Sequence, residues 1–179
     1  VLANFNQFYK IDKVTATAWI KVLQSVPRSV LWLRSESPDA HAALRRRAED
    51  MGVGGDRIVF AKWAPTTHDH LDRSTIAALS LDTPLYTSMT TACDILWSGV
   101  PLVTTPRLKM VSRLAASLLT ALGVPSLIAR NMKEYVAIAT LLTKSHQNLV
   151  GLRAYGAMRD AVSRGRLGGR LFDMGARVQ

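Results

Sequence analysis

The sequence predicts an α/β domain built as a Rossmann-like parallel sheet flanked by helices. Two observations carry that prediction. Short runs rich in valine, isoleucine and leucine alternate about five times with longer segments of helical period, the pattern of parallel strands joined by crossover helices. One run, IAALSLDT at 76–83, is apolar almost without alternation, as suits a central strand covered on both faces.

Taken in order, VLANF (1–5) is the first strand. A helix near 13–25 follows, with Val14, Ala18, Trp19, Val22 and Leu23 on one face and Pro27 stopping it. SVLWLRS (29–35) is the second strand. The next helix, capped by Asp39, carries Ala40, Ala43, Leu44 and Ala48 and ends at Met51-Gly52, with Gly54-Gly55 leading into strand RIVFAKW (57–63). Pro65–Thr75 reads as a loop and short helix before the fourth strand at 76–83. After PLYTSM, TTACDILWSG (90–99) forms a helix of about two turns and PLVTT (101–105) the fifth strand. Ser112–Leu122 is helical, SLIAR (126–130) is a short last strand, and Met132–Thr143 and Gln147–Val162 are closing helices. The division is one domain over 1–162 and a basic, glycine-rich tail over 163–179.

Composition narrows the function classes. No apolar run approaches the ~20 residues that cross a bilayer, and VLANFNQFYK lacks the layout of a signal peptide. With a single cysteine, Cys93, there is no internal disulfide framework; the expected setting is cytoplasmic, nuclear or both. Because the chain opens on Val1, inside an apparent strand, it reads as a fragment. A net charge of +10 favours anionic partners. Much of that charge lies in Arg45, Arg46 and Arg47 and in arginines from Arg153 onward, runs that suit solvated helix faces. Nucleic acid is not the expected partner, since aromatics are not interleaved with the arginines.

In a sheet of this type ligands bind outside the carboxyl ends of the strands, and three segments fall there. NFNQFYKI (4–11) offers Gln7, an amide donor, and Lys10, a cation, either for a diphosphate or as an ordinary polar loop. TSMTTACD (87–94) opens a helix. Its free N–H groups and the hydroxyls of Thr90 and Thr91 suit a phosphate, and Asp94 one turn on suits sugar hydroxyls; the alternative is Thr90 as a plain N-cap. In WAPTTHDHLDR (63–73), His68, His70 and Arg73 lie close together. They make an incomplete metal set, but an imidazole and a guanidinium one turn apart could flank a planar base. Walker, GxGxxG and serine-triad patterns are missing.

These segments, with PRSVLWL, RIVF, LDTP, LWSGVPLVT and SRLAAS in the same order, resemble the C-terminal catalytic lobe of the O-linked N-acetylglucosamine transferases, the family that includes the SPINDLY-related enzymes. The resemblance covers roughly residues 1–160 and implies the C-terminal lobe of a GT-B glycosyltransferase. It further implies an inverting, metal-independent protein O-GlcNAc transferase acting on serine and threonine of intracellular proteins, with UDP-N-acetylglucosamine as donor and no cofactor. By position, Gln7 and Lys10 would contact the diphosphate, Lys10 as the catalytic residue offsetting charge on departing UDP. Thr90 and Thr91 would bind phosphate, Asp94 the ribose, Ala64 the uracil through its backbone, and His70 with Arg73 would border the base. The acceptor side, an N-terminal catalytic lobe and helical repeats are expected outside this chain, which alone should bind UDP and transfer nothing.

The chain departs from the family at three places. Met89 replaces a histidine before the paired threonines, Thr66 replaces a lysine after Ala-Pro, and PRLKM (106–110) replaces a glycine-glutamate-threonine while Arg107 and Lys109 keep that area cationic. An extra residue between Ala64 and His70 leaves either His68 or His70 for the base. HDH at 68–70 leans toward the related GDP-fucose-dependent protein O-fucosyltransferases, FNQFYK and LDTP away from them; a degenerate nucleotide-binding module is the remaining alternative.

Overall fold

The computed structural model describes residues 1–145, 149–168 and 171–172. Five parallel strands form one sheet in the order β3-β2-β1-β4-β5: β1 Leu2–Asn4, β2 Leu31–Arg34, β3 Ile58–Ala61, β4 Leu79–Leu81 and β5 Leu102–Val103. The chain builds outward from β1 to β3, then crosses back to β4 on the other side. The switch point therefore lies between β1 and β4, the place where an open α/β sheet leaves a crevice at its carboxyl edge. The middle strand is β1, and β4 is interior beside it rather than central. Its segment is also shorter than the apolar run suggests, because Ile76 sits in the preceding turn and is largely exposed.

Seven helices cover the sheet among the described residues: α1 Lys13–Ser25, α2 Pro38–Asp50, α3 Thr67–Ser74, α4 Thr90–Trp97, α5 Leu114–Ala121, α6 Met132–Lys144 and α7 Leu149–Gly168. Local chemistry sets their ends. Asp12 accepts from the Thr15 N–H at the start of α1 (2.7 Å), and the Arg57 guanidinium closes its other end by donating to the carbonyls of Leu23 and Val26. Ser37, not Asp39, caps α2, accepting from the Ala40 N–H; Pro38 takes the first helical position, where its fixed φ is pre-organised, and Asp39 falls in the first turn. Val14 is half-exposed on α1, whose buried face is Ala18, Trp19, Ile20, Val22 and Leu23.

Leu31, Leu33, Ile58, Leu79 and Leu81 fill the core from the sheet. Trp19, fully buried, donates from its indole N–H to the Tyr135 hydroxyl (3.0 Å), which donates to the Asp82 carbonyl (2.9 Å). That chain pins α1 and α6 to the end of β4, as buried polar groups require. The arginine run on α2 is partly structural: Arg45 donates to the Ile58 carbonyl and Arg47 to the Thr17 hydroxyl, tying α2 to β3 and α1.

Two other expectations change. SLIAR is a 3-10 turn at Pro125–Leu127 plus one parallel bridge, Thr104 to Ile128, rather than a strand. Proline at 125 has no N–H for a ladder, which favours the turn. The last helix α7 runs on to Gly168, six residues past the expected helix end at Val162, while Gln147, residues 169–170 and residues 173–179 lie outside the described residues.

Candidate functional site

The carboxyl edge of the sheet around the switch point opens into a cleft of about 430 Å³, a size that suits a small ligand. Three loops and two helix starts build it. The segment leaving β1 supplies Phe5, Asn6, Gln7 and Lys10, the end of β2 Arg34, the β3–α3 loop Trp63 to Thr67, α3 His70 and Arg73, and α4 Thr90, Thr91 and Asp94. All eight residues singled out in the sequence line this one cleft: Gln7, Lys10, Ala64, His70, Arg73, Thr90, Thr91 and Asp94. His68 does not; it is exposed and pairs with Asp72 at 3.0 Å.

The anionic end is set by α4. Met89 takes the cap position with no side-chain bond, and its carbonyl accepts from the N–H groups of Ala92 and Cys93. Thr90 is thus the first helical residue and not the cap. The first N–H groups of a helix have no partner within it, and no acid stands in the first turn of α4, so this end presents uncompensated positive potential. Gln7 is exposed and precedes a 3-10 turn, Phe8–Lys10, that swings Lys10 into the cleft. The Lys10 ammonium lies 4.3 Å from the Tyr86 ring centroid. Burial pulls its pKa down, with the Asp82 charge acting against it.

Behind this end lies a buried polar cluster that the sequence reading missed. Asp82 accepts from the Thr104 hydroxyl (2.6 Å), the Ser88 N–H (2.8 Å) and the Ser88 hydroxyl (2.7 Å). Burial raises its carboxyl pKa, and these hydrogen bonds hold it down. The Asn6 amide in turn donates to the hydroxyls of Thr83 and Ser88. The cluster fixes the loop that delivers Thr90 and Thr91 relative to the one that delivers Lys10.

On α3 the capping box, Thr66 with Asp69, sets the helix start that carries His70 and Arg73. The Arg73 guanidinium donates to Nδ1 of His70 (3.2 Å from Nε) and to the Lys62 carbonyl (2.7 Å), and lies 4.7 Å from the centroid of Phe5. Arg73 thus holds His70 in place, and both side chains line the cleft. With Nδ1 accepting, the His70 proton sits on Nε2, which faces Asp94 Oδ2 at 3.7 Å. Burial, then the Arg73 charge, lowers the His70 pKa, opposed by Asp94; burial raises that of Asp94, opposed by His70.

Arg34 and Trp63 also went unnoticed in the sequence, although both follow the carboxyl-edge rule. Conversely, Arg107 and Lys109 do not line the cleft. They border a neighbouring, wider groove with Leu85 and Leu108, and Arg107 approaches Asp12 at 4.0 Å. Among the described residues no group of histidine, cysteine and carboxylates is placed to hold a metal ion, and no helix is long and apolar enough to cross a membrane.

The family model of glycosyl transferase family 41 matches residues 1–179, the whole chain. The chain belongs to that family. This family 41 chain is 44% identical over 154 residues to a Caenorhabditis elegans protein named UDP-N-acetylglucosamine–peptide N-acetylglucosaminyltransferase, a match covering 86% of it and 13% of the relative. It is 37% identical over 153 residues to the Arabidopsis thaliana protein SEC, named a probable enzyme of the same kind, covering 85% and 16%. Among solved structures, a Thermobaculum terrenum O-GlcNAc transferase mutant superposes with a TM-score of 0.87 at 30% identity, covering 98% of the chain and 33% of that structure. The fold is thus that of a GT-B glycosyltransferase lobe, and the chain spans a small part of the curated relatives it matches.

Proposed function

We propose that this chain is the nucleotide-sugar-binding C-terminal lobe of an inverting protein O-GlcNAc transferase, with UDP-N-acetylglucosamine as donor. The observation that carries the reading is the convergence of three sequence-distant segments on one cleft at the switch point. Lys10 and the α4 start line it together with the facing pair of His70 and Asp94. The relatives' names supply the donor and the peptide acceptor.

In the reaction an acceptor serine or threonine oxygen attacks the anomeric carbon. The bond from that carbon to the β-phosphate oxygen breaks, and its electron pair leaves with UDP. Negative charge therefore grows on the diphosphate, where Lys10, Gln7 and the α4 start with Thr90 and Thr91 stabilise it. Asp94 accepts from the ribose hydroxyls, Ala64 offers its backbone to uracil, and His70, held by Arg73, borders the base. The reading needs no metal or cofactor. The proton of the acceptor hydroxyl goes to a base outside this chain, as do the acceptor contacts, the N-terminal lobe and the helical repeats. The chain by itself binds UDP and transfers nothing, and the whole enzyme works in the cytoplasm, the nucleus or both.

Competing UDP against GDP on the purified chain tests the donor. Tighter UDP binding is expected; tighter GDP binding would replace this donor with a guanosine-linked one.

A further inference from the structure

Trp63 lies two residues past the end of β3 and is 71% exposed, an unusual position for so large an apolar side chain. Yet it is no stray surface residue, because it lines the same cleft as Lys10 and Asp94. Arg34, at the end of β2, lines the cleft too, and its guanidinium lies 5.0 Å from the Trp63 ring centroid. Arg34 is held from two sides, by an ion pair from its Nε to Glu36 Oε1 at 3.5 Å and by the face of the indole. The pair amounts to a flat apolar surface steadied by a cation, carried on the β2 and β3 side of the sheet, whereas α4 follows β4 on the other side of β1.

A planar, uncharged group is what such a surface covers best. Arg73 already carries Phe5 against its guanidinium and directs its in-plane donors to His70 and the Lys62 carbonyl. We propose that Trp63, steadied by Arg34, is the wall against which the nucleobase stacks, a role that rests on the nucleotide reading of this cleft. Stacking tolerates any base because every base has a π-face. Trp63 thus supplies affinity, and the choice of base falls to hydrogen bonds from the Ala64 backbone and His70.

The test is titration of UDP, GDP and inorganic pyrophosphate into the chain as wild type, Trp63→Ala and Trp63→Phe. Trp63→Ala should weaken UDP and GDP alike, each by roughly five- to a hundredfold. Pyrophosphate binding and the thermal unfolding midpoint should not change. Trp63→Phe should recover most of the loss, and UDP should quench tryptophan fluorescence in the wild type but not in Trp63→Ala. Unaltered UDP affinity in Trp63→Ala would overturn the inference. So would equal affinity of the wild type for UDP and pyrophosphate, which leaves the diphosphate contacts standing; a wild type that binds neither overturns the nucleotide reading as well.

Discussion

His70 on α3 and Asp94 on α4 face each other at 3.7 Å, imidazole Nε2 to carboxylate Oδ2. Arg73 fixes that orientation from behind by donating to Nδ1. The cleft therefore holds a neutral imidazole against a carboxylate, and the two helices are coupled through the pair.

This arrangement gives stability a definite pH dependence. Burial and Arg73 hold the folded pKa of His70 below its ordinary 6.5. As the pH falls below 6.5 the unfolded chain takes up a proton that the folded protein refuses, so the native state loses stability with acid. Asp94, raised above 3.8, acts in the opposite sense from 3.8 upward, where the unfolded chain has already given up its proton. Unfolding midpoints measured between pH 7.5 and 5.5 should fall toward acid, and His70→Gln should flatten the slope. An identical slope in the variant would contradict the assignment.

Thr66 stands where the family resemblance expects a lysine, and the structure gives it another job. Its hydroxyl accepts from the Asp69 N–H, and the Asp69 carboxylate accepts from the Thr66 N–H. Thr66→Ala should cost about 1 kcal/mol in urea unfolding, with Thr66→Ser near wild type. A loss in neither variant would mean that α3 does not depend on its cap.

Asp82 is fully buried and accepts from Thr104 and twice from Ser88. Asp82→Ala strands those donors and should destabilise the chain by about 3 kcal/mol in urea unfolding, on the scale of a few unsatisfied buried groups. Asp82→Asn keeps one acceptor oxygen and should lose less. Equal losses would show that volume, not hydrogen bonding, is what the position supplies.

Most of the architecture was legible because it is written in local pattern: five apolar runs, the helices between them, and loops that the carboxyl-edge rule marks as ligand-facing. Gln7, Lys10, Thr90, Thr91 and Asp94 could be named because each lies directly after a strand or in the first turns of a helix. What stayed hidden depends on partners far off in the chain. Asn6 meets Thr83 and Ser88 across 77 and 82 residues, and no spacing announces that. Arg73 has the right type and offset to flank a ligand, but nothing in the spacing announces its hydrogen bonds to His70 and the Lys62 carbonyl. Asp39 was mistaken for a cap because Ser37 and Pro38 together are the stronger start signal. Arg107 and Lys109 follow β5 at the same sheet edge, yet their loop turns toward the neighbouring groove. Arg34 and Trp63 sit one on each of two adjacent strand ends, so only the β2–β3 pairing brings them together.

The central claim is that Lys10 serves a diphosphate in this cleft, and calorimetric titration of UDP and uridine into the wild type and Lys10→Ala tests it most directly. The expected result is UDP binding weakened about tenfold or more by the loss of one charge-assisted contact, with uridine binding unchanged. Equal UDP affinity in the two proteins would contradict it.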